Sequence, residues 1–287
     1  MISRRRFLGQ ASAAALIAAT HSRVSFANPL GLPLGIQLYS VRQQLAQDYE
    51  GTLAEVAKAG FTEVEAAGYY NHSAAEVKQA MQKAGLKCVS THHPYGDLRK
   101  KFDELLAFDK ELGVQYMICA SPGAKDPSQK TMTLDDWKWL ADEFNKLGEK
   151  TKAAGITFGY HNHVHEFDKL DGGVPYMELL KTDPNKVTLE LDCGWATVAG
   201  MNPIEIMKNH PNRISMLHVK DFTMTPGGGP EGAKVTELGQ GTIDYTPIFA
   251  QAKKTQKIRH AFVEQEAFTM PWKESLKTDA EYMKKLK

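Results

Sequence analysis

The stretch that decides the fold of this chain is ITFGYHNHVHEF, residues 156–167, in which an apolar strand-like run ends in polar side chains. Three later segments repeat this design, namely VTLELDCGW (187–195), ISMLHVKD (214–221) and HAFVEQE (260–266). Parallel strands that end in His, Asp and Glu at intervals of roughly 25–45 residues predict one barrel rim with one metal site. A buried imidazole or carboxylate needs compensation for its lost hydration, and a divalent metal compensates several at once.

Strand-like and helix-like segments alternate along the whole chain beyond its N-terminal segment. Eight apolar segments are expected as strands, near 34–39, 61–66, 86–91, 114–120, 156–161, 187–192, 214–219 and 260–265. Amphipathic stretches with apolar residues at i, i+3, i+4 and i+7 lie between them, for example 52–60, 74–85, 101–113 and 134–155. Eight such units predict a single (β/α)8 TIM barrel over residues 28–287. An open doubly wound sheet is the alternative, but it would leave two edge strands.

The first 27 residues have the pattern of an export signal. SRRRFLG (3–9) is a twin-arginine pattern, an apolar run follows over 11–19, and SFA (25–27) resembles a small-x-small cleavage site. The apolar run is shorter than the ~20 residues that span a bilayer, which favours a signal over an anchor. We therefore expect a twin-arginine signal peptide over 1–27 and a periplasmic protein that is exported folded, with its metal already inserted.

The charge balance excludes some classes of partner. Removing the signal takes four arginines and no acid from the 35 basic residues, which leaves 31 against 34 acidic residues, a net charge of about −3. This balance argues against a nucleic-acid surface. The mature sequence also has no basic amphipathic stripe of the kind that binds membranes. A small-molecule partner is expected instead. Cys88, Cys119 and Cys193 are expected as buried thiols, although the periplasm would permit a disulfide.

The polar ends of the last four strands supply the expected metal ligands. Side chains two positions apart on a strand share a face. Imidazole and carboxylate ligands without thiolate favour Mn, Mg, Co or Zn in a site that keeps open positions. The pairs that share a face are His161 and His163, Glu190 and Asp192, His218 and Lys220, and Glu264 and Glu266.

Five segments resemble the xylose-isomerase-like TIM barrel family of sugar isomerases and epimerases. They are GYHNHVHEF (159–167), LELDCGW (189–195), LHVKD (217–221), ELGQGTIDY (237–245) and FVEQE (262–266). The resemblance implies one divalent metal, with Mn expected first and Co, Mg or Zn as alternatives. It implies ligands Glu, Asp, His and Glu from strands five to eight, and Asp192, His218 and Glu264 match the last three. Dimers and tetramers are common in the family, so the resemblance is compatible with a homo-oligomer.

The first ligand position is where this chain departs from the family. Family members end strand five with a glutamate near the place that His161 occupies here. The alternatives are His161, His163 and the nearby Glu166. We favour Glu166 because it keeps the carboxylate chemistry of the family, which leaves the two histidines to contact substrate or to move protons. A histidine ligand in place of that glutamate stays open.

Several other polar residues are expected close to the site. Glu190 is expected to be structural and paired inside the barrel, and Gln37 and Glu65 on the first two strands could reach the site. One of His92 and His93 is expected to contact substrate, unless the segment that holds them is an ordinary polar loop.

The implied chemistry is proton transfer next to a sugar carbonyl. A metal that chelates two adjacent oxygens polarises the carbonyl and acidifies the neighbouring C–H. The resemblance implies that flanking glutamates serve as base and acid. The catalytic candidates are Glu264 and Glu166, then Glu266, His161 and His163, with Lys220 as a substrate or carboxylate contact.

These residues predict a divalent-metal-dependent isomerase or epimerase that forms an enediolate on a non-phosphorylated sugar. The alternative is a metal-dependent lyase or hydratase that acts on a keto-sugar or 3-keto-glycoside by β-elimination. Both share the early steps, so the ligand set does not separate them. A metal-dependent nuclease is disfavoured by the acidic mature chain, and a non-catalytic sugar-binding barrel is disfavoured by intact Asp192, His218 and Glu264.

Overall fold

Ten strands run through residues 28–225 and 229–286, which are the residues that this computed structural model describes. The predicted signal peptide at 1–27 lies outside them. In chain order the strands are β1 (Gly35–Gln37), β2 (Glu63–Ala66), β3 (Lys87–Pro94), β4 (Tyr116–Ser121), β5 (Thr157–His161), β6 (Val187–Asp192), β7 (Ile214–Val219), β8 (Asp221–Met224), β9 (Ala233–Thr236) and β10 (His260–Val263).

Eight of these strands form a closed parallel barrel. Their spatial order is β1-β10-β7-β6-β5-β4-β3-β2, and β2 pairs in turn with β1. This closed order confirms the predicted (β/α)8 barrel and leaves no edge strand in it. The eighth barrel strand is β10, because β8 and β9 form a separate antiparallel pair.

Helices connect the barrel strands. They are α1 (Arg42–Gln47), α2 (Tyr49–Ala59), α3 (Ala74–Ala84), α4 (Tyr95–Leu112), α5 (Leu134–Ala153), α6 (Pro175–Leu179), α7 (Cys193–Val198), α8 (Pro203–Asn209), α9 (Tyr245–Thr255) and α10 (Trp272–Lys285). The α3 helix shows how the sequence sets their limits. The Ser73 and Glu76 side chains form a capping box at its start, and Gly85 ends it with φ +75°, a left-handed conformation that glycine adopts without strain.

The first strand is shorter than its apolar segment predicts. The segment 34–39 was expected to be extended, but β1 ends at Gln37 and a 3-10 turn follows over Leu38–Val41. The Gln37 side chain accepts a hydrogen bond from the Tyr39 amide at 2.9 Å. This local cap satisfies a backbone donor that a longer strand would have paired with its neighbour.

The segment ELGQGTIDY folds around one buried carboxylate. Asp221, at the start of β8, accepts hydrogen bonds from the amides of Gly239 and Gly241 at 3.0 Å each and of Ile243 at 3.1 Å. A Cβ at Gly241 would lie 2.2 Å from the Asp221 carboxylate, so only glycine fits there. The segment is therefore structural, and it fixes the chain between the β8–β9 pair and α9.

The barrel interior is apolar in the middle and polar at its carboxyl end. The main core lies between the strands and the surrounding helices, and a small separate cluster contains Met216 and Phe262. These two residues precede His218 and Glu264 by two positions and share their faces. The cluster therefore forms an apolar layer beneath the polar residues at the carboxyl end.

The expectation of buried thiols is matched by the described residues. All three cysteines are free and buried. No helix in the described part of the chain has both the length and the apolar character that crossing a membrane requires.

Candidate active site

Four buried side chains converge at the carboxyl end of the barrel. His161 ends β5, Asp192 ends β6, His218 lies on β7 and Glu264 follows β10. One nitrogen or oxygen atom of each lies within 4.8 Å of the corresponding atoms of the other three. We call these four residues the rim group. Two imidazoles and two carboxylates at this spacing form a candidate site for a divalent metal.

The hydrogen bonding of Asp192 fits a cation in the rim group. Its Oδ1 accepts a hydrogen bond from the Trp195 amide at 2.7 Å, which fixes the carboxylate. Its Oδ2 is fully buried and accepts no hydrogen bond among the described residues, although Lys220 Nζ lies 3.3 Å from it as an ion-pair partner. A buried polar atom without a hydrogen bond costs about 1–3 kcal/mol. The Lys220 ammonium offsets part of that cost for Asp192 Oδ2, and a metal ion would offset the rest. Burial raises the pKa of Asp192 to about 6, although Lys220 and His218 act in the opposite direction.

Two further carboxylates orient the histidines of the rim group. The His218 Nε2 lies 2.7 Å from Glu65 Oε1, while its Nδ1 lies 3.0 Å from Glu264 Oε2. The His161 Nδ1 lies 3.2 Å from Glu190 Oε2, while its Nε2 lies 4.0 Å from Asp192 Oδ2. Each imidazole thus turns one nitrogen to the rim group and the other to a carboxylate, as metal-binding histidines generally do.

His92 joins these two supporting carboxylates. Its Nε2 lies 2.8 Å from Glu65 Oε1 and 2.7 Å from Glu190 Oε2. Burial alone would lower the pKa of His92, but the two carboxylates raise it to about 9. His92, Glu190, His161 and His218 meet the same distance condition as the rim group. We call these four the lower group; it shares two histidines with the rim group.

Lys220 binds carboxylates and does not reach the cavity. Its side chain is fully buried, and Nζ lies 3.3 Å from Asp192 Oδ2, 2.9 Å from Glu264 Oε2 and 2.5 Å from Glu266 Oε1. Burial acts to lower the pKa of Lys220, but these carboxylates hold it above its usual value. Of the two contacts predicted for Lys220, substrate or carboxylate, the structure has the carboxylate contact.

The structure does not bring Glu166 to the rim group. The Tyr160 hydroxyl donates to its Oε1 at 2.6 Å and the His163 amide donates to its Oε2 at 2.8 Å. Both oxygens are therefore taken in the turn that follows β5, and Glu166 is in neither group of potential ligands. Of the three alternatives for the first ligand, His161 belongs to the rim group and keeps the strand-end location, whereas Glu166 lies outside that group.

A large cavity opens above the rim group. Its volume is about 880 Å³, and four predicted catalytic residues line one end of it, His161, His163, Glu264 and Glu266. Burial lowers the pKa of His163, and Lys220 adds to this effect. The other end of the cavity lies between the loop after β2 and α4, which sequence reasoning did not connect with the site.

Residues that the sequence placed only near the site turn out to support it. Glu190 is paired inside the barrel as predicted, with His92 and His161. Gln37 donates to Glu65 at 2.8 Å, and Glu65 in turn contacts His218. The position of Glu190 two residues before Asp192, on the same face of β6, is the sequence signal that places it inside the barrel.

Comparisons with known proteins agree with this geometry. A family model described as xylose isomerase-like TIM barrel matches residues 53–286. An inosose dehydratase from Clostridium botulinum (strain Alaska E43 / Type E3) is 27% identical over 235 residues, which cover 70% of this chain and 76% of that protein. A solved sugar phosphate isomerase/epimerase from Parabacteroides distasonis ATCC 8503 has a TM-score of 0.73 and 30% identity, covering 88% of this chain and 94% of its own.

A third protein shares the fold at lower identity. The IOLI protein, solved with a bound zinc atom, has a TM-score of 0.68 and 18% identity, covering 86% of this chain and 95% of its own. The barrel, the grouped ligand residues and the match of the family model over residues 53–286 lead to one conclusion. The chain belongs to the xylose isomerase-like TIM barrel family.

Proposed function

We propose that this protein is a divalent-metal-dependent lyase that removes a β substituent from a keto-sugar or keto-glycoside. The observation that carries the proposal is the position of Glu166. An isomerase or epimerase with two flanking glutamates needs a carboxylate on the β5 side, opposite Glu264. Both oxygens of Glu166 are engaged elsewhere, by Tyr160 and the His163 amide. The cavity therefore has an imidazole on one side and carboxylates on the other.

The rim group fits the metal that this chemistry requires. His161, Asp192, His218 and Glu264 would hold it, with Mn proposed first and Co, Mg or Zn as alternatives. When bound, the metal would polarise the sugar carbonyl and make the adjacent C–H more acidic.

His163 is the residue that we propose to move the proton. It lines the cavity, and its lowered pKa keeps the imidazole neutral at neutral pH, ready to accept a proton. A ring nitrogen of His163 takes the proton from the carbon next to the carbonyl. The electrons of that C–H bond form the C=C bond as the C–O bond at the next carbon breaks. The imidazolium then returns the proton to the departing oxygen, which leaves as water or an alcohol.

The charges of the cavity support a substrate without phosphate. Its walls carry four acidic residues, Asp97, Glu104, Glu264 and Glu266, against two cationic ones, Lys101 and His92, whose pKa is about 9. A phosphate dianion would meet repulsion from these carboxylates. Glu264 is proposed as a metal ligand. Lys220 contacts Oε1 of Glu266, which leaves its Oε2 to accept a hydrogen bond from a sugar hydroxyl.

The curated relatives support elimination, and one solved neighbour supports a second candidate. The relative from Clostridium botulinum is named inosose dehydratase, and a dehydratase eliminates water. The neighbour at 30% identity is named a sugar phosphate isomerase/epimerase. We therefore keep isomerisation or epimerisation of a non-phosphorylated sugar as the second candidate.

One experiment separates these two candidates. Manganese-loaded protein is incubated in D₂O with methyl 3-keto-β-D-glucoside and, separately, with inosose, and the products are followed by NMR. The lyase predicts release of methanol or water together with an unsaturated ketone. Deuterium exchange next to the carbonyl without any release would contradict the lyase and support the second candidate.

The site of action is also a proposal. The twin-arginine pattern in residues 3–9 supports export of the folded barrel, residues 28–287, to the periplasm. Fractionation of cells that express the full chain, with the Arg4→Lys and Arg5→Lys double variant as control, tests it. Equal amounts of both proteins in the periplasm would contradict the proposal.

A further inference from the structure

The cavity is larger than one reacting sugar requires. Its volume of about 880 Å³ equals that of roughly thirty molecules of liquid water. A hexose ring has fewer than half as many non-hydrogen atoms, so a ring held at the rim group leaves most of the space open. The open part extends away from the rim group, towards the loop after β2 and α4. We call this part the arm.

Aromatic side chains line the arm. Tyr69 and Phe108 are stacked, with ring centroids 4.0 Å apart, and both are half-buried at the cavity wall. Tyr70 and Tyr39 also line the cavity. The Tyr39 side chain is 42% exposed, and it is the one exposed large hydrophobic residue in the described part of the chain. Rings of this kind bind the flat apolar face of another ring through stacking contacts.

The loop that carries Tyr70 is held in a strained conformation. Tyr70 has φ +52° and Asn71 has φ +65°, two successive residues in the left-handed region. This conformation costs about 1–2 kcal/mol for a residue such as tyrosine, and less for asparagine. Such strain persists where surrounding structure enforces it, and it concentrates at binding sites. Here it keeps the Tyr70 side chain at the cavity wall.

A fixed histidine adds a polar contact to the arm. His93 Nε2 lies 2.9 Å from Asp109 Oδ2, and Asp109 also accepts hydrogen bonds from the Tyr69 and Thr91 hydroxyls at 2.6 Å each. His93 Nδ1 has no hydrogen-bond partner among the described residues. It is not fully buried either. Since His93 lines the cavity, this nitrogen is available to a ligand there.

We propose that the arm binds a second ring, joined through oxygen to the reacting sugar, so that the substrate is a glycoside. The proposal rests on the lyase function above, in which that second ring is the departing group. Aromatic walls supply stacking, while His93 and the Asp97 and Lys101 side chains of α4 supply polar contacts. The shared chemistry is a ring with a flat apolar face, which a second sugar or an aromatic group provides.

Binding of unreactive ligands tests the arm without any turnover. Dissociation constants of the full-length, manganese-loaded protein are measured by NMR titration for methyl β-D-glucoside, cellobiose and 4-nitrophenyl β-D-glucoside. One or both of the two-ring ligands should bind about tenfold more tightly than the methyl glucoside. Tighter binding of cellobiose would identify a sugar as the preferred occupant of the arm, and tighter binding of 4-nitrophenyl β-D-glucoside would identify an aromatic ring. Equal constants for all three ligands would overturn the proposal.

Variants at Tyr70 show whether the gain comes from the arm. Tyr70→Gly removes the ring and suits the positive φ, so it should reduce the two-ring preference to about threefold or less. Tyr70→Phe should keep the preference. Asn212→Gly is the matched control, because Asn212 also has a positive φ, +59°, but precedes β7 at the amino end of the barrel. An unchanged preference in Tyr70→Gly would contradict the assignment.

The outcomes separate this proposal from the proposed function. Two-ring preference without release of a β substituent would support the arm and contradict the lyase. Release from the methyl keto-glucoside with equal binding of all three ligands would support the lyase and overturn the arm.

Discussion

The two ends of the barrel each contain a buried pair of one histidine and one glutamate. At the amino end, His260 Nδ1 lies 2.7 Å from Glu63 Oε2. At the carboxyl end, His218 Nε2 lies 2.7 Å from Glu65 Oε1. Both glutamates are on β2, two positions apart. Residue type, contact distance and burial therefore do not distinguish a candidate active site from a structural contact.

The neighbours of each pair make the difference. Both groups of potential ligands in the described chain lie at the carboxyl end, and neither includes His260 or Glu63. Around His218 stand further carboxylates, of which Glu264 and Asp192 also contact the ammonium of Lys220. Burying so many ionisable groups is costly unless each charge is compensated. The amino-end pair satisfies itself, whereas at the carboxyl end Asp192 Oδ2 accepts no hydrogen bond among the described residues and has only the ion pair with Lys220 at 3.3 Å.

The largest expected difference between the two ends is in activity. Asp192→Asn removes a proposed ligand with little change of volume, and we expect turnover of the keto-glycoside to fall at least ~10³-fold, since a bound metal supplies several kcal/mol of transition-state stabilisation. Glu63→Gln is the matched control at the amino end, and it should stay within about twofold of the wild type. Steady-state kinetics with metal analysis checks both. Similar losses in the two variants would remove the distinction between the ends.

A second test separates the ligands from the cavity residues within the carboxyl end. His163→Gln should lower turnover by about 10²–10³-fold, because it removes the proposed proton carrier, while the metal content stays that of the wild type. His165→Gln is the control two positions along, since the His165 side chain is 86% exposed and contacts only Asp168 at 3.3 Å. Full turnover by His163→Gln would exclude the proposed role.

The carboxyl end should also make stability depend on pH in the metal-free protein. The pKa of His92 is raised from 6.5 to about 9 in the folded state, so the folded protein binds more protons than the unfolded one in that window. The stabilisation by His92 is therefore present below pH 6.5 and lost as pH rises through 9, on the order of 3 kcal/mol. Urea unfolding of wild type and His92→Gln at several pH values checks this. If the free energy of unfolding changed with pH to the same extent in both proteins, the proposed contribution of His92 would be contradicted.

The smallest expected effect belongs to Glu166. Glu166→Gln should cost about 1–3 kcal/mol of stability, because the amide cannot accept both hydrogen bonds from Tyr160 and the His163 amide. Its metal affinity should match that of the wild type. Calorimetric titration with Mn²⁺ and urea unfolding provide the two measurements. Loss of Mn²⁺ binding would return Glu166 to the ligand set.

The sequence predicted the residues whose positions follow from the alternation of side chains along a single strand. It did not predict the contacts between strands that form only when the barrel closes. Strand alternation placed Asp192, His218 and Glu264 at one rim, because each side chain lies at or next to the end of its own strand. Glu166 lies outside the rim group, since a 3-10 turn over His165–Phe167 follows β5 and strand counting no longer applies there.

The contacts that the supporting residues make could not be predicted in the same way. Glu65 and His92 come from β2 and β3, and they meet His218 of β7 only because the barrel closes. No spacing along the sequence expresses a contact between residues 65 and 218. The arm has the same origin, since its wall combines the loop after β2 with α4.

Anomalous scattering at the manganese edge, on crystals of protein produced with ample manganese, tests the metal site most directly. The expected result is one ion bound by His161, Asp192, His218 and Glu264, with Glu166 still bound to Tyr160. An ion in the lower group of His92, Glu190, His161 and His218, an ion bound to Glu166, or no ion at the rim group would contradict the proposed site.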